Sequence, residues 1–88
     1  MKKSVLKATA QSGSNLLKAM EVFAAVAETG QMTAAARMLG MTQSAASQQI
    51  SALEKSYGVT LFDRSVRPAR LTQPGALLLR HAARILNE

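Results

Sequence analysis

The chain has 88 residues, of which 48% are hydrophobic but only 3% aromatic, and this composition favours one small domain of packed helices. It has no cysteine, a single histidine, no nucleophile–base pair and no phosphate-cradling glycine loop, so we predict neither an enzyme nor a metal or cofactor site. The net charge of +6 suits binding to nucleic acid, to an acidic membrane surface or to an acidic protein partner. No apolar run reaches the roughly 18 residues of a membrane span, so we expect a cytoplasmic protein.

The first predicted elements are a basic tail and a scaffold helix. Residues 1–14 are rich in lysine and serine and lack an apolar stripe, so we interpret them as a flexible, solvated leader. Asn15 can cap a helix that runs to about Thr29 and ends at Gly30. The apolar residues of this helix fall on one face, which indicates a helix that packs on a core.

Two further helices separated by a tight turn are the central prediction. Thr33 can cap a short helix over 34–39, which Gly40 would end in a left-handed conformation. Thr42 can cap a third helix over 43–57, whose apolar face includes a tyrosine that we expect in the core. A helix, a short turn containing glycine and a second helix are typical of a helix-turn-helix.

The third helix has an unusual polar face. No residue from 41 to 53 is charged, whereas exposed helix faces normally carry lysine and glutamate. Short uncharged side chains that donate and accept hydrogen bonds suit base edges in the major groove of DNA. A merely solvated helix is the alternative, but the neighbouring turn and an arginine-rich hairpin favour base reading. The predicted base-reading residues are Gln43, Ser44, Ser47, Gln48 and Ser51.

A short hairpin is predicted after the third helix. Residues 59–62 suit one strand and Arg70–Leu71 the other, with a loop over 63–69. Arginine binds phosphate strongly and favours narrow minor grooves, and Arg67 at the loop tip is the best candidate for a minor-groove contact. Arg64 is expected to pair partly with Asp63 or Glu54. The residues that we expect at the DNA backbone or minor groove are Thr33, Thr42, Arg64, Arg67 and Arg70.

The last predicted element is a helix from 73 to about 87, which Thr72 can cap. Its apolar residues cover an arc of about 180°, wider than the roughly 100° stripe that a surface helix buries. The excess needs a second surface, and the simplest candidate is the same helix of another copy in a two-fold dimer. The residues predicted at this dimer interface are Leu78, Leu79, Ala82, Ile85 and Leu86.

Taken in this order, the residues from Leu16 to Glu88 resemble the DNA-binding domain of a LysR-type transcriptional regulator. The matching motifs are Phe23-x-x-Val26-Ala27-Glu28-x-Gly30, Thr33-x-Ala35-Ala36-x-x-Leu39, Thr42-Gln43-Ser44-Ala45-x-Ser47-x-Gln49-Ile50-x-x-Leu53-Glu54, Gly58-x-x-Leu61-Phe62-x-Arg64 and Leu71-Thr72-x-x-Gly75. The resemblance implies a mainly α fold, with a winged helix-turn-helix over 15–72 that has a three-helix core and a short two-stranded wing. A linker helix over 73–88 would then pair with its mate in a homodimer.

The resemblance also implies functional roles. It implies that the third helix faces bases, that Arg67 reaches the minor groove and that Arg64 and Thr72 lie near the DNA backbone, at a promoter site with interrupted dyad symmetry. Ser44 stands where many members have proline, which could change the base preference. Ala46 stands where a larger aliphatic residue is common, so packing under the helix should be looser unless Met38 or Met41 fills the space. Members continue into an effector-binding domain that 88 residues cannot hold. The chain would then be either an excised DNA-binding segment, which we favour, or a naturally short protein, and in both cases we expect it to bind no small-molecule effector.

Two alternatives remain open at this stage. One is a protein-interaction module in which the last helix binds a partner and DNA binding is incidental; it predicts that Leu78→Asp or Ile85→Asp abolishes function while changes at Gln43 and Arg67 do nothing. The other is a winged-helix regulator outside the LysR group, such as a molybdate-sensing type. No membrane partner is expected in either case.

Overall fold

A computed structural model describes residues 13–87, with side chains over 16–86. The elements in chain order are α1 (Gly13–Thr29), α2 (Met32–Leu39), α3 (Gln43–Tyr57), β1 (Phe62–Asp63), β2 (Arg70–Leu71) and α4 (Gln73–Asn87). Helices α1 to α3 form a packed core, β1 and β2 form an antiparallel wing, and α4 packs against α1 and β2. This arrangement confirms the predicted winged helix-turn-helix with a C-terminal helix. Most of the predicted basic tail, residues 1–12, lies outside the described residues.

Helix α1 begins earlier than predicted. Gly13 and Ser14, which we assigned to the tail, are already helical. Asn15 therefore lies inside the helix, and the prediction that it caps α1 is wrong because an N-cap residue has a non-helical backbone. The predicted end is confirmed, since Gly30 adopts a positive φ of 75° and its amide bonds to the carbonyl of Val26 at 2.7 Å.

Two glycines and one threonine set the boundaries of the turn and of α3 as predicted. Gly40 adopts φ 67°, and the amide of Met41 bonds back to the carbonyl of Ala36 at 2.9 Å, which ends α2. The hydroxyl of Thr42 accepts a hydrogen bond from the amide of Ala45 at 3.0 Å, and Gly58 ends α3 at φ 66°. The sharp turn between α2 and α3 is therefore held by local bonds.

Helix α2 begins two residues earlier than predicted, at Met32 rather than at Ala34. Its N-cap is Gln31, which is extended and makes no side-chain cap bond. Thr33 is already helical, so the prediction that it caps α2 is wrong. Its hydroxyl makes a different bond, to α3, which is described below.

The core is small and rich in alanine. The rings of Phe23 and Phe62 meet at a centroid distance of 5.3 Å and an interplanar angle of 55°, a favourable aromatic geometry. Ala46 is wholly buried, and Met41 packs against the core whereas Met38 is exposed. The other buried apolar residues are Ala19, Met20, Val22, Ala25, Val26, Ala35, Ala36, Ile50, Leu53, Leu61 and Ala82.

Tyr57 does not belong to the core, contrary to the prediction. It is 50% exposed, because it lies in the last turn of α3, one turn beyond Leu53, the last residue of this helix that is buried. The core-facing residues of this helix are Ala46, Ile50 and Leu53 alone.

Strand β1 is shorter than predicted, starting at Phe62 rather than at Val59. The side chain of Glu54 explains the difference, because its Oε2 accepts a hydrogen bond from the amide of Leu61 at 2.9 Å. The amide of Val59 is also taken, by the carbonyl of Glu54. The two strands pair in the register Phe62 with Leu71 and Asp63 with Arg70.

Helix α4 is anchored by Thr72. The amide of Gly75 donates to the Thr72 hydroxyl oxygen at 3.1 Å, as expected for a cap, and the Thr72 hydroxyl donates to the carbonyl of Thr60. The amide of Thr72 also bonds to the carbonyl of Leu61 at 3.0 Å. These bonds fix the start of α4 to the base of the wing. Across residues 13–87, no helix is long and apolar enough to span a membrane.

The wide apolar arc of α4 is partly explained within the chain itself. Ala82 is wholly buried against the core of its own domain, so it has no exposed surface in a single copy. Leu78 and Leu79 are half-buried and pack on the same core. Ile85 and Leu86, near the end of the helix, stay exposed.

Candidate nucleic-acid interface

The polar face of α3 points away from the core. Ser44, Gln48 and Ser51 are exposed on the side of the helix opposite Ala46 and Ile50. Gln43 is also exposed, at the amino end of the helix, and Ser47 is half-buried between these positions. Lys55 is exposed one turn beyond Ser51. All five predicted base-reading residues therefore lie on one helix, and four of them are exposed.

The amino ends of α2 and α3 are joined by a side-chain hydrogen bond. The hydroxyl of Thr33 donates to Oε1 of Gln43 at 3.1 Å, and both side chains are exposed. This contact was missed in the sequence, because nothing in the spacing of the two residues indicates which helix faces they occupy.

The wing loop is held against the turn between α1 and α2. The amide of Ala69 bonds to the carbonyl of Gly30 at 3.1 Å. A Cβ atom on Gly30 would lie 2.5 Å from Cβ of Pro68, so glycine permits both the left-handed turn and the close approach of the loop. The Arg67–Pro68 peptide bond is cis. Arg67 and Val66 are exposed at the tip of this anchored loop.

The single acidic residue of the wing is occupied by local bonds. Oδ1 of Asp63 accepts from the Ser65 hydroxyl at 2.6 Å and from the Ser65 amide at 3.0 Å. These two hydrogen bonds, together with the positive charge of Arg70, hold the pKa of Asp63 below its usual range, against a small opposing effect of desolvation. Asp63 thus stays ionised at neutral pH.

Glu54 connects α3 to the wing. Its Oε1 lies 3.4 Å from Nη2 of Arg64, while its Oε2 holds the amide of Leu61. This pair confirms that Arg64 has a partly structural role. The Arg64 side chain remains 47% exposed, so it keeps donors for a further partner.

A groove of about 330 Å³ separates the wing from the amino ends of α2 and α3. One side is lined by Gln31, Thr33 and Gln43, and the other by Arg64, Val66 and Arg67. Gln31 and Val66 were not singled out in the sequence, and only their neighbours Thr33 and Arg67 pointed to this region.

Three of the predicted backbone contacts lie outside the residues that line the groove. Thr42 and Arg70 are exposed at the start of α3 and on β2. Thr72 is half-buried, and its hydroxyl group both caps α4 and bonds to the carbonyl of Thr60. That engagement favours a structural role for Thr72 over direct binding of a phosphate.

Known proteins with a similar sequence or structure share this fold. The family model described as bacterial regulatory helix-turn-helix protein, lysR family, matches residues 17–76. A helix-turn-helix-type transcriptional regulator of Azotobacter vinelandii, encoded in the ibpB–leuC intergenic region, is 48% identical over 71 residues, which cover 81% of this chain and 49% of the relative. The chain thus spans about half the length of that relative.

Two similar solved structures are DNA-binding domains in complex with DNA. The CbnR domain is 42% identical, with a TM-score of 0.76 and coverage of 81% of this chain and 82% of that chain. The BenM domain, bound to benA site 1, is 34% identical, with a TM-score of 0.78 and coverage of 81% and 80%.

Proposed function

Because the chain belongs to the LysR family of bacterial regulatory helix-turn-helix proteins, we propose that it binds double-stranded DNA sequence-specifically as the DNA-binding part of a transcriptional regulator. The observation that carries the proposal is the exposed face of α3, which is uncharged from Gln43 to Ser51 and lies beside a groove that Arg64 and Arg67 line on its far side. The DNA complexes of the BenM and CbnR domains, which share this fold, support the proposal. Action on promoter DNA would place the protein in the cytoplasm.

In this proposal α3 enters the major groove with its amino end. Side chains in the first two turns of a recognition helix reach base edges. Gln43, Ser44, Ser47 and Gln48 occupy these turns, and Ser51 follows on the same face. Glutamine and serine carry both donors and acceptors, which the major groove presents in a pattern unique to each base pair.

Phosphates would be bound at the flanks of α3. The amide groups in the first turn of α2 have no partner within the helix, and no side chain caps that end, so they are available to an anion. Thr42 at the start of α3, with the exposed Arg64 and Arg70, would add further phosphate contacts. These contacts would position the protein without reading sequence.

The wing would reach the minor groove through Arg67. This residue is exposed in a loop that the Ala69–Gly30 hydrogen bond ties to the domain. An arginine inserted in a narrow minor groove senses the enhanced negative potential of A·T-rich DNA. Val66 beside it offers an apolar contact for the sugar edges.

Pairing of two copies through α4 would match a site with dyad symmetry. Ile85 and Leu86 are exposed, as is Leu77 on another face of the helix. Large apolar side chains left exposed on one helix favour burial against a second copy. Leu78 and Leu79 would contribute only the half of their surface that the core leaves free.

Replacing Arg67 by alanine is expected to weaken binding of the preferred duplex about 5- to 100-fold and to flatten the A·T preference beside each half-site. Arg80→Ala is the matched control, because it removes the same charge from an exposed position on α4 outside the groove. Fluorescence anisotropy with duplexes that differ only in the flanking A·T tract measures both effects. Equal losses for the two variants would show that the wing does not contribute to sequence preference.

Gln43→Ala and Ser47→Ala are each expected to relax sequence choice at one or two base pairs, by about 1–3 kcal/mol for a bidentate contact. Ser56→Ala is the control, since Ser56 is exposed on the same helix but lies near its far end. Competition with single-base-pair variants of the preferred duplex gives the energies. A uniform loss over all sequences would instead assign the side chain to a phosphate.

A further inference from the structure

We propose that Thr33 determines which base atoms Gln43 reads, by fixing the orientation of its side-chain amide. The inference rests on the proposed DNA-binding function and deepens it. The carrying observation is the 3.1 Å hydrogen bond from the Thr33 hydroxyl to Gln43 Oε1, made between the amino ends of two different helices. Both residues line the groove beside the wing.

The hydrogen bond assigns the two ends of the Gln43 amide. Thr33 takes one of the two lone pairs of Oε1, which is the only acceptor atom of the amide, and turns that oxygen toward the protein; the Nε2 group with its two donors is then the end left for DNA. A bidentate pair with adenine needs Oε1 to accept from N6 while Nε2 donates to N7. An amide whose oxygen faces the protein is better matched to edges that only accept, namely O6 and N7 of guanine or O4 of thymine.

The same bond changes the role of Thr33. A hydroxyl has one proton, and the Thr33 proton is directed to Gln43, whereas a phosphate oxygen would need that proton for itself. The Thr33 side chain is thus a positioning residue for Gln43, and the backbone amide of the same residue is what remains for a phosphate. The side chain of Thr33 and its backbone amide therefore have different roles, which the sequence alone did not distinguish.

The scaffold around the pair supports a fixed orientation. Helices α2 and α3 pack on one another through the core, where Ala35 and Ala36 of α2 lie in the same buried cluster as Ala46 of α3. An unrestrained glutamine would lose rotamer freedom on binding DNA. Holding the side chain beforehand corresponds to about a two- to tenfold gain in affinity for the base edges that this orientation matches.

Three variants of the whole chain test the inference, by selection of duplexes from a random library followed by titration of single-base variants. Thr33→Val removes the hydroxyl at nearly constant shape, Thr33→Ser retains it, and Thr33→Ala repeats its loss with a better helix former. We expect the original chain and Thr33→Ser to prefer guanine or thymine at the position that Gln43→Ala relaxes. Thr33→Val and Thr33→Ala should lower that preference about two- to tenfold and admit adenine, with affinity for random duplex unchanged.

A double variant checks that Thr33 acts through Gln43. Thr33→Val is expected to add no further loss of base preference once Gln43 is alanine, because residues that act as one unit are not additive. The inference is overturned if Thr33→Val weakens all sequences equally, or if the original chain prefers adenine or cytosine at that position; base reading by α3 then still stands. If Gln43→Ala changes preference nowhere, base reading by Gln43 and the inference fail together.

Discussion

Replacing Phe62 by alanine should lower the free energy of unfolding by about 3–5 kcal/mol, the range for removing a buried phenylalanine. Phe62 is only 2% exposed, and its ring packs on Phe23 of α1. It also lies in β1 and lines the groove between the wing and the helices. A small domain is stable by about 5–15 kcal/mol in total, so the change removes much of its stability and loosens the wing.

Tyr57→Ala is the matched control for this prediction. It removes a side chain of similar size, but Tyr57 is 50% exposed, so we expect a loss of about 1 kcal/mol or less. Urea titration followed by circular dichroism gives both free energies. Comparable losses for the two variants would show that the aromatic contact between α1 and β1 does not hold the wing in place.

Gly75→Ala is expected to destabilise the fold by about 3 kcal/mol or more, the upper end for overpacking. Helix propensity predicts the opposite sign, since alanine is favoured over glycine inside a helix by about 1 kcal/mol. The reason is the backbone just before β1: a Cβ on Gly75 would lie 2.2 Å from the carbonyl oxygen of Leu61. That carbonyl also accepts the amide of Thr72, so it cannot move without loosening the start of α4.

Gly58→Ala separates the clash from the general effect of replacing glycine. Gly58 has nothing within 4 Å of an added Cβ, and only its positive φ of 66° opposes alanine. A cost of about 1–2 kcal/mol is expected there. The same urea titration compares the two variants. A gain in stability for Gly75→Ala would mean that the start of α4 does not pack closely against the backbone of Leu61.

The parts of the fold that the sequence predicted correctly are those determined by local chemistry. Gly30, Gly40 and Gly58 end helices because they adopt a positive φ, and Thr42 and Thr72 cap helices through their own hydroxyl groups. Each of these signals involves residues within one helical turn of each other. For this reason the lengths of α3 and α4 were predicted closely.

The features that the sequence did not predict depend on contacts between distant segments. The Glu54 carboxylate takes the amide of Leu61 and so shortens β1, and Thr33 turns from a cap into a partner of Gln43. Ala82 is apolar whether it faces another copy or its own core, so the helical pattern could not tell which surface it contacts. Only the packing of α4 on α1 distinguishes the two.

For the candidate site, the sequence predicted the residues of α3 but not the groove. An uncharged helix face is visible in the residues themselves, whereas the groove exists because Pro68 and Ala69 pack against Gly30, far away in the chain. Gln31 and Val66 line it only as a result of that packing.

Selection of duplexes from a random library by the purified chain, at moderate salt, tests sequence-specific DNA binding most directly, because phosphate contacts dominate at low salt. The account predicts enrichment of one common motif, as an inverted repeat if α4 pairs two copies and as a single half-site if it does not. Circular dichroism of the same sample establishes that the chain is folded. A folded chain that enriches no motif would contradict the account and favour an interaction module centred on α4.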